Sequence, residues 1–361
     1  MTFPELTPTQ PLSRTPRRWY VGAYGFEERS LGWAQSHQGD GQILSAALTF
    51  RYNHPKGTNR IISLQDALSH LGVNATDDLE YDTLVPQASE DIVAQRLQRV
   101  ASQADEIVLD VSAMTKLLCL TSLCYLSRFR GTLRIVYSEA EDYAPTEADY
   151  AEWKVEMGTV AGFPSQGVQS LVRAKCLSSI RMQGQPVTMV AFTSFNEQLV
   201  RHMMGTITPH RLILINGRPP RFDYAWREMA TREIHRQMID EYKVDNPHGE
   251  NGRLRHTVST LDYRETILEL DSVYHQYGNH ERLICGATGS KMQTVGLFFA
   301  KVIHPDIHVE YPTPDSYYVN GLSKGIRVVH EIAIDQFASF LADLGAHRRA
   351  WPGPTLAPAG D

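Results

Sequence analysis

Short apolar runs rich in β-branched residues alternate with longer amphipathic stretches, and the whole alternation is written twice. In the first half the runs are 19–23, 43–50, 79–84, 106–111 and 132–137, separated by helix-like segments 26–36, 63–71, 89–103 and 114–129. In the second half the runs are 186–192, 210–215, 257–261, 282–285 and 307–311, separated by 195–204, 222–242, 263–277 and 290–303. Strands alternating with helices of this length predict βαβ units around a parallel sheet. The runs are continuously apolar, as parallel strands covered on both faces are.

Single residues repeat with the pattern. Phe26 and Glu28 match Phe195 and Glu197; Thr115 and Lys116 match Ser290 and Lys291; Tyr137 and Tyr143 match Tyr311 and Tyr317. This predicts a tandem duplication whose second copy starts near Gln185, with the two copies packed as a pseudo-dimer. A length of 361 residues accommodates two such domains. The expected division is a flexible tail over 1–18, a first domain over 19–150, a connecting segment over 151–185, a second domain over 186–345 and a second tail over 346–361.

Charge narrows the partners. Lys and Arg total 35 against 41 Asp and Glu, a net charge of −6, so a long nucleic acid is not expected as the primary partner. A small anion in a locally positive pocket fits better. The N-terminus lacks a secretory apolar core, and no run of 18 apolar residues occurs, so a cytoplasmic protein with no membrane partner is expected. Cys119 and Cys285 sit in apolar runs, which predicts buried, reduced thiols, and Cys119 and Cys124 lack a zinc spacing. His210, His304 and His308 show no metal spacing, so neither a metal nor a cofactor is expected.

In open α/β sheets ligands bind beyond the carboxyl ends of the strands. Two loops in each half lie there. After the first strand come Tyr24, Gly25, Phe26 and Arg29, matched by Thr193, Ser194 and Asn196. Small and hydroxyl residues there let a ligand approach backbone and helix N-terminus. After the fourth strand come Asp110, Ser112, Thr115 and Lys116, matched by Gly286, Thr288, Gly289, Ser290 and Lys291. Backbone N–H groups, hydroxyls and an ammonium at such a turn form an anion cradle. Gly289-Ser290-Lys291 is not a Walker A loop, because the first glycine is missing and Lys follows the hydroxyl residue. Asn216-Gly217-Arg218 reads as a turn, and the loops from Tyr137 to Tyr143 and from Tyr311 to Tyr317 offer aromatic rings for stacking on a base.

Asp110-x-Ser112-x-x-x-Lys116, at the end of the fourth strand, resembles the motif of CARF domains, the CRISPR-associated Rossmann fold. A fused, diverged pair also resembles SAVED domains. The resemblance covers about 19–150 and 186–330, and the second copy departs from it with Cys285 and Ala287 at the Asp and Ser positions. It implies two tandem Rossmann-like parallel-sheet domains that bind a cyclic oligoadenylate between them. That makes the chain a sensor in anti-phage or CRISPR-linked defence, acting with a separate effector protein. No HEPN Arg-x-x-x-x-His site or restriction-type carboxylate cluster is evident. Two other readings remain open. One is a metal-independent ring nuclease, with Lys116, Lys291 and Ser112 as catalytic candidates; the other is a non-binding regulatory subunit of a defence complex.

Overall fold

The computed structural model describes residues 2–14, 17–53, 60–157, 165–242, 254–317 and 322–347. It is an α/β protein with two mixed, mainly parallel sheets of Rossmann type. Sheet one runs, edge to edge, Thr7–Pro8, Val328–Ile334, Thr132–Glu139, Glu106–Asp110, Arg18–Tyr24, Ala46–Tyr52 and Thr76–Tyr81. Sheet two runs Thr257–Ser259, Arg211–Arg218, Val187–Phe192, Arg282–Gly286, His308–Thr313 and Ser170–Val172. Numbered along each half, the five parallel strands have the order 3-2-1-4-5 in both sheets.

The ends of the two halves are exchanged. After its fifth strand, the first half sends Ser170–Val172 to pair antiparallel with His308–Thr313 at the edge of sheet two. After its own fifth strand, the second half sends Val328–Ile334 to pair antiparallel with Thr132–Glu139 in sheet one. The segments between them also cross over: Asp142–Tyr143 pairs with Ser323–Lys324, and Ser316–Tyr317 pairs with Ser165–Gln166. Val328–Ile334 therefore belongs to sheet one, which corrects the expected span of 186–345 for the second domain. The connecting segment 151–185 likewise supplies an edge strand to sheet two. A buried charge network fastens the returning strand: Arg18 to Glu106 at 2.9 Å, Arg134 to Glu106 at 2.6 Å and Arg134 to Glu331 at 3.0 Å.

Helices Lys116–Tyr125 and Lys291–Ile303 follow the fourth strand of each half and pack on one another. Leu117, Leu120 and Leu123 of the one and Met292, Val295 and Phe299 of the other belong to a single apolar core that spans both sheets. Ser290 starts the second helix with a capping box, its hydroxyl accepting from Gln293 N at 3.0 Å and the Gln293 side chain answering to Ser290 N.

The sequence reading places most elements within a few residues. Tyr263–Tyr277 matches to the residue. The helix expected over 222–242 is instead a short 3-10 turn (Phe222–Tyr224) and two helices, Trp226–Ile234 and Arg236–Glu241, parted at His235. There Thr231 turns its hydroxyl onto Asn216, Arg227 O and Glu228 O, and its carbonyl also meets His235 Nδ1 at 2.9 Å. All four cysteines are free, and Cys119 and Cys285 are buried. No helix among the described residues is long and apolar enough to cross a membrane.

The N-terminal segment, expected to be a flexible tail, is docked. Thr7–Pro8 pairs with the returned strand, and Arg18 is already inside sheet one. Phe3 inserts between Tyr263, Phe299 and Phe340, with centroid distances of 6.4, 6.2 and 6.3 Å, and Tyr263 Oη donates to Pro4 O at 2.6 Å. Beyond 347, the expected C-terminal tail lies outside the described residues. Phe3→Ala is expected to destabilise the protein by about 2 kcal/mol, read as a lower urea midpoint. An unchanged midpoint contradicts the docking.

Candidate functional site

The packed helix pair brings the strand-one and strand-four loops of both halves around one cavity of about 420 Å³, within the roughly 300–1,000 Å³ range of small-molecule sites. Phe26, Arg29, Thr115, Lys116, Thr193, Ser194, Asn196, Thr288, Gly289, Ser290 and Lys291 all line it. Tyr24, Gly25, Asp110, Ser112 and Gly286 do not; they stand behind the wall.

Those hidden residues shape the loops. Asp110 accepts Ser112 N at 3.0 Å and Tyr20 Oη at 3.1 Å, and burial pushes its carboxyl up to about 6. Ser112 Oγ accepts Ser138 N at 2.8 Å, which ties the loop to strand five. Tyr24 Oη turns away, donating to Asp78 at 2.7 Å. A Cβ on Gly25 would stand 2.7 Å from Ala113 Cβ, so only glycine lets the two loops touch. The second half reaches the same end differently. Thr288 Oγ1 accepts Phe192 N at 2.9 Å and donates to Phe192 O at 2.7 Å, tying its loop to strand one. Here the glycine is on the other loop: a Cβ on Gly289 would stand 2.8 Å from Phe192 Cβ. Thr288 thus supplies the fastening that Ala287 cannot.

Several hydroxyls expected to face an anion are already engaged by their own chain. Thr115 Oγ1 accepts Leu118 N at 3.1 Å as a helix cap, and Ser290 Oγ donates to Thr260 O at 2.6 Å. Asn196 Oδ1 accepts Gln198 N at 3.1 Å while its Nδ2 donates to Ser165 Oγ at 3.0 Å. Asn216 is buried at the end of a strand rather than in a turn, holding Thr193 and Thr231 through Oδ1. Arg218 leaves the cavity to pair with Glu265 at 2.8 Å.

The lysines are different. Lys116 Nζ donates to Thr288 O at 3.3 Å, and Lys291 Nζ donates to Ser112 O at 3.4 Å. Each ammonium reaches across to the opposite half's strand-four loop, and neither has a carboxylate within ion-pair distance among the described residues. Burial pushes the Lys116 amine down to about 8. It pushes Lys291 down to about 7, with Arg29 adding to the effect and Glu27 opposing it.

Three guanidiniums complete the positive lining, Arg29, Arg221 and Arg227, and Arg221 is paired with Asp223. Arg29 is neutralised by Glu27 at 2.8 Å and lies 5.9 Å from the centre of the Tyr137 ring, whose hydroxyl meets Tyr143 Oη at 3.1 Å. Arg227, from the second half, has no carboxylate partner among the described residues. It lies 4.9 Å from the Phe195 ring and 5.3 Å from those of Tyr224 and Trp226, and donates to Pro145 O at 3.0 Å. Its Nε is buried without a partner, and burial pushes the group down to about 10. Sequence reasoning missed Arg227 and Tyr224 because it absorbed them into one long helix; the interleaving of Arg221, Tyr224, Trp226 and Arg227 is the signal it could have used. The lining holds five cationic side chains (Arg29, Lys116, Arg221, Arg227, Lys291) against two carboxylates, Glu27 and Glu139. With Tyr137, Tyr143 and Tyr224 among the walls, it can take an anion that carries flat rings.

No family model and no curated protein matches this chain. Among solved structures, a type III CRISPR defence DNA nuclease activated by cyclic oligoadenylate aligns at 10% identity and a TM-score of 0.46, over 81% of this chain. This chain spans 65% of that nuclease. Can2 from Sulfobacillus thermosulfidooxidans, in complex with cyclic tetra-adenylate, aligns at 12% identity and a TM-score of 0.24, over 81% of this chain and 95% of the other. Likenesses at these levels say nothing about what this chain does.

The lysines set a pH dependence. An unfolded chain keeps both amines protonated up to about 10.5, whereas the folded chain releases those protons near 8 and 7. In that window the unfolded state binds more protons, so stability rises with pH. The Tm of the ligand-free protein, minus that of Lys116→Met/Lys291→Met, is expected to climb between about pH 7 and 10. A difference that does not change with pH contradicts the burial of charged amines here.

Proposed function

We propose that this chain binds a cyclic or linear oligonucleotide second messenger of the cyclic oligoadenylate type in the cavity between its two halves. We read it as a sensor in prokaryotic anti-phage or CRISPR-linked defence, passing the signal to a separate effector. One observation carries the reading: Lys116 and Lys291, at equivalent helix starts, enter one cavity and, among the described residues, hydrogen-bond there to each other's loop carbonyls and form no ion pair. Two ammonium groups without a carboxylate at ion-pair distance among the described residues favour a ligand with at least two phosphates. The two helix N-termini beside them add partial positive charge. The tyrosines and the Arg227 cluster offer faces on which bases stack.

The repeat supports a two-copy origin for this cavity. Equal strand order, reciprocal exchange of edge strands and crossed lysines are what a fused pseudo-dimer of CARF-like or SAVED-like units produces. In this reading Phe26, Arg29, Thr115, Thr193, Ser194, Thr288 and Ser290 contact the ligand around the lysines. Tyr24, Gly25, Asp110, Ser112 and Gly286 hold the loops that do so.

Titration calorimetry with cyclic tri-, tetra- and hexa-adenylate, with linear oligoadenylates as controls, tests the proposal. One ligand is expected to bind one per chain. Each charge-assisted contact is worth on the order of 1.5–3 kcal/mol, so Lys116→Ala/Lys291→Ala is expected to weaken binding by about 100-fold or more. Affinity is expected to fall as pH rises through about 7 to 8, where the amines lose their charge. Equal affinity in the double variant overturns the site, and no thermal shift with any nucleotide favours a non-binding regulatory subunit.

A second reading has its own observation: an amine brought down to about 7 both accepts and gives a proton near neutral pH. In a ring nuclease a ribose 2′-OH attacks its own phosphate as a neutral Lys291 amine takes its proton, closing a 2′,3′-cyclic phosphate and breaking the bond to the 5′-oxygen, which the same ammonium then protonates, while Lys116 stabilises the developing negative charge. Chromatography of labelled rings incubated with the protein separates the readings: cleavage lost in Lys291→Ala makes it an enzyme, and intact rings make it a sensor only.

A further inference from the structure

We propose that Asp271, His275 and His304 bind one divalent transition-metal ion, zinc in the first instance, at the end of the second half remote from the cavity. Asp271 and His275 are one turn apart on helix Tyr263–Tyr277 and share a face. His304 is the residue that ends helix Lys291–Ile303. Both imidazoles turn Nε2 toward the same carboxylate oxygen, Asp271 Oδ1, at 2.7 Å for His304 and 3.6 Å for His275. One potential ligand atom from each residue lies within 4.8 Å of the other two. Donors bound to zinc at 2.0–2.2 Å in tetrahedral array stand about 3.3 Å apart, so small side-chain movements close this site. At 3.6 Å, His275 makes no hydrogen bond to the oxygen it faces.

The electrostatics point the same way. Asp271 is 3% exposed and has no Lys or Arg partner among the described residues. A buried carboxylate is stabilised by hydrogen-bond donors or a cation beside it, and here two imidazoles face one of its oxygens. Two of the three ligands are prearranged. His304 is buried and stacks on Tyr274 at 3.7 Å with the rings 15° apart, and Tyr274 Oη donates to Asp306 at 2.6 Å. The third, His275, is exposed, which leaves a path for the ion and a coordination position for water. Two nitrogens and one oxygen suit zinc or its neighbours in the first transition row and not magnesium or calcium, which take oxygen ligands. Histidine spacing along the sequence does not show the site, because Asp271 and His275 stand in the second half of one helix and His304 caps the end of another.

The helix that ends at His304 begins at Lys291. Its 13 residues set the ion about 20 Å from the cavity ammonium. A metal there fastens the far ends of two adjacent helices and takes no part in chemistry at the cavity, so the inference stands whatever the cavity binds.

The test uses the full chain without a polyhistidine tag, freed of metal by a chelator. Zinc is titrated by calorimetry, and cobalt by visible absorption. One equivalent of each is expected, with d–d bands for cobalt and a higher Tm with zinc. His275→Ala, a change at an exposed position, is expected to weaken both by at least about tenfold. His280→Ala, a nearby exposed histidine outside the trio, is expected to change neither. Absence of stoichiometric binding, or equal binding by His275→Ala, overturns the proposal and leaves the hydrogen bond between His304 and Asp271.

Discussion

The packing of helix Lys116–Tyr125 against helix Lys291–Ile303 is the contact on which the rest depends. Each helix starts where the fourth strand of its own half ends, so docking their apolar faces fixes both N-termini side by side. It thereby brings together two helix-dipole ends and two ammonium groups of the same sign, where both amines are buried. Nothing local favours that assembly. It exists because the shared core, with Leu117, Leu120, Val295 and Phe299 fully or almost fully buried, supplies more than the repulsion removes. The result is a scaffold that holds Lys116 and Lys291 together at one cavity wall.

The two halves reach a common architecture with unequal details. The strand-four loop of the first half is tied to strand five by Ser112, and that of the second to strand one by Thr288. Arg29 has its carboxylate, Glu27, and Arg227 has none among the described residues. The cavity is therefore symmetric in backbone and lopsided in charge, with the uncompensated guanidinium on the side of the second half. A ligand with two-fold symmetry meets two different walls.

The periodic core of this protein is open to reading from the sequence. Parallel strands buried on both faces announce themselves as apolar runs, and the helix Tyr263–Tyr277 begins on a capping Asp262 that can be read directly. Lys116 and Lys291 stand out because the same residue types recur at the same fold position. The exchanged strands do not stand out. Ser170–Val172 is three residues long, and Val328–Ile334 follows an irregular stretch, so pairing across halves is a tertiary fact without a local signature. The Asp110-x-Ser112 pattern is legible as a motif, yet its side chains bend and anchor a loop where a contact to ligand was expected. Arg227 escaped because the helix expected over 222–242 absorbed it, whereas it stands in the first turn of Trp226–Ile234, just after the 3-10 turn Phe222–Tyr224.

The crossed two-residue ladders, Asp142–Tyr143 with Ser323–Lys324 and Ser316–Tyr317 with Ser165–Gln166, bear on time more than on form. Tyr143, Leu322 and Ser165 of these segments and their flanks belong to the cavity wall. Pairings so short are the weakest cooperative units in the molecule, while the sheets beneath them are long and buried. Two-residue ladders fray before long buried strands do, so this part of the cavity wall is expected to loosen before either sheet does. Under the proposed function, exchange of ligand then draws on local loosening of the wall while the two buried sheets stay intact.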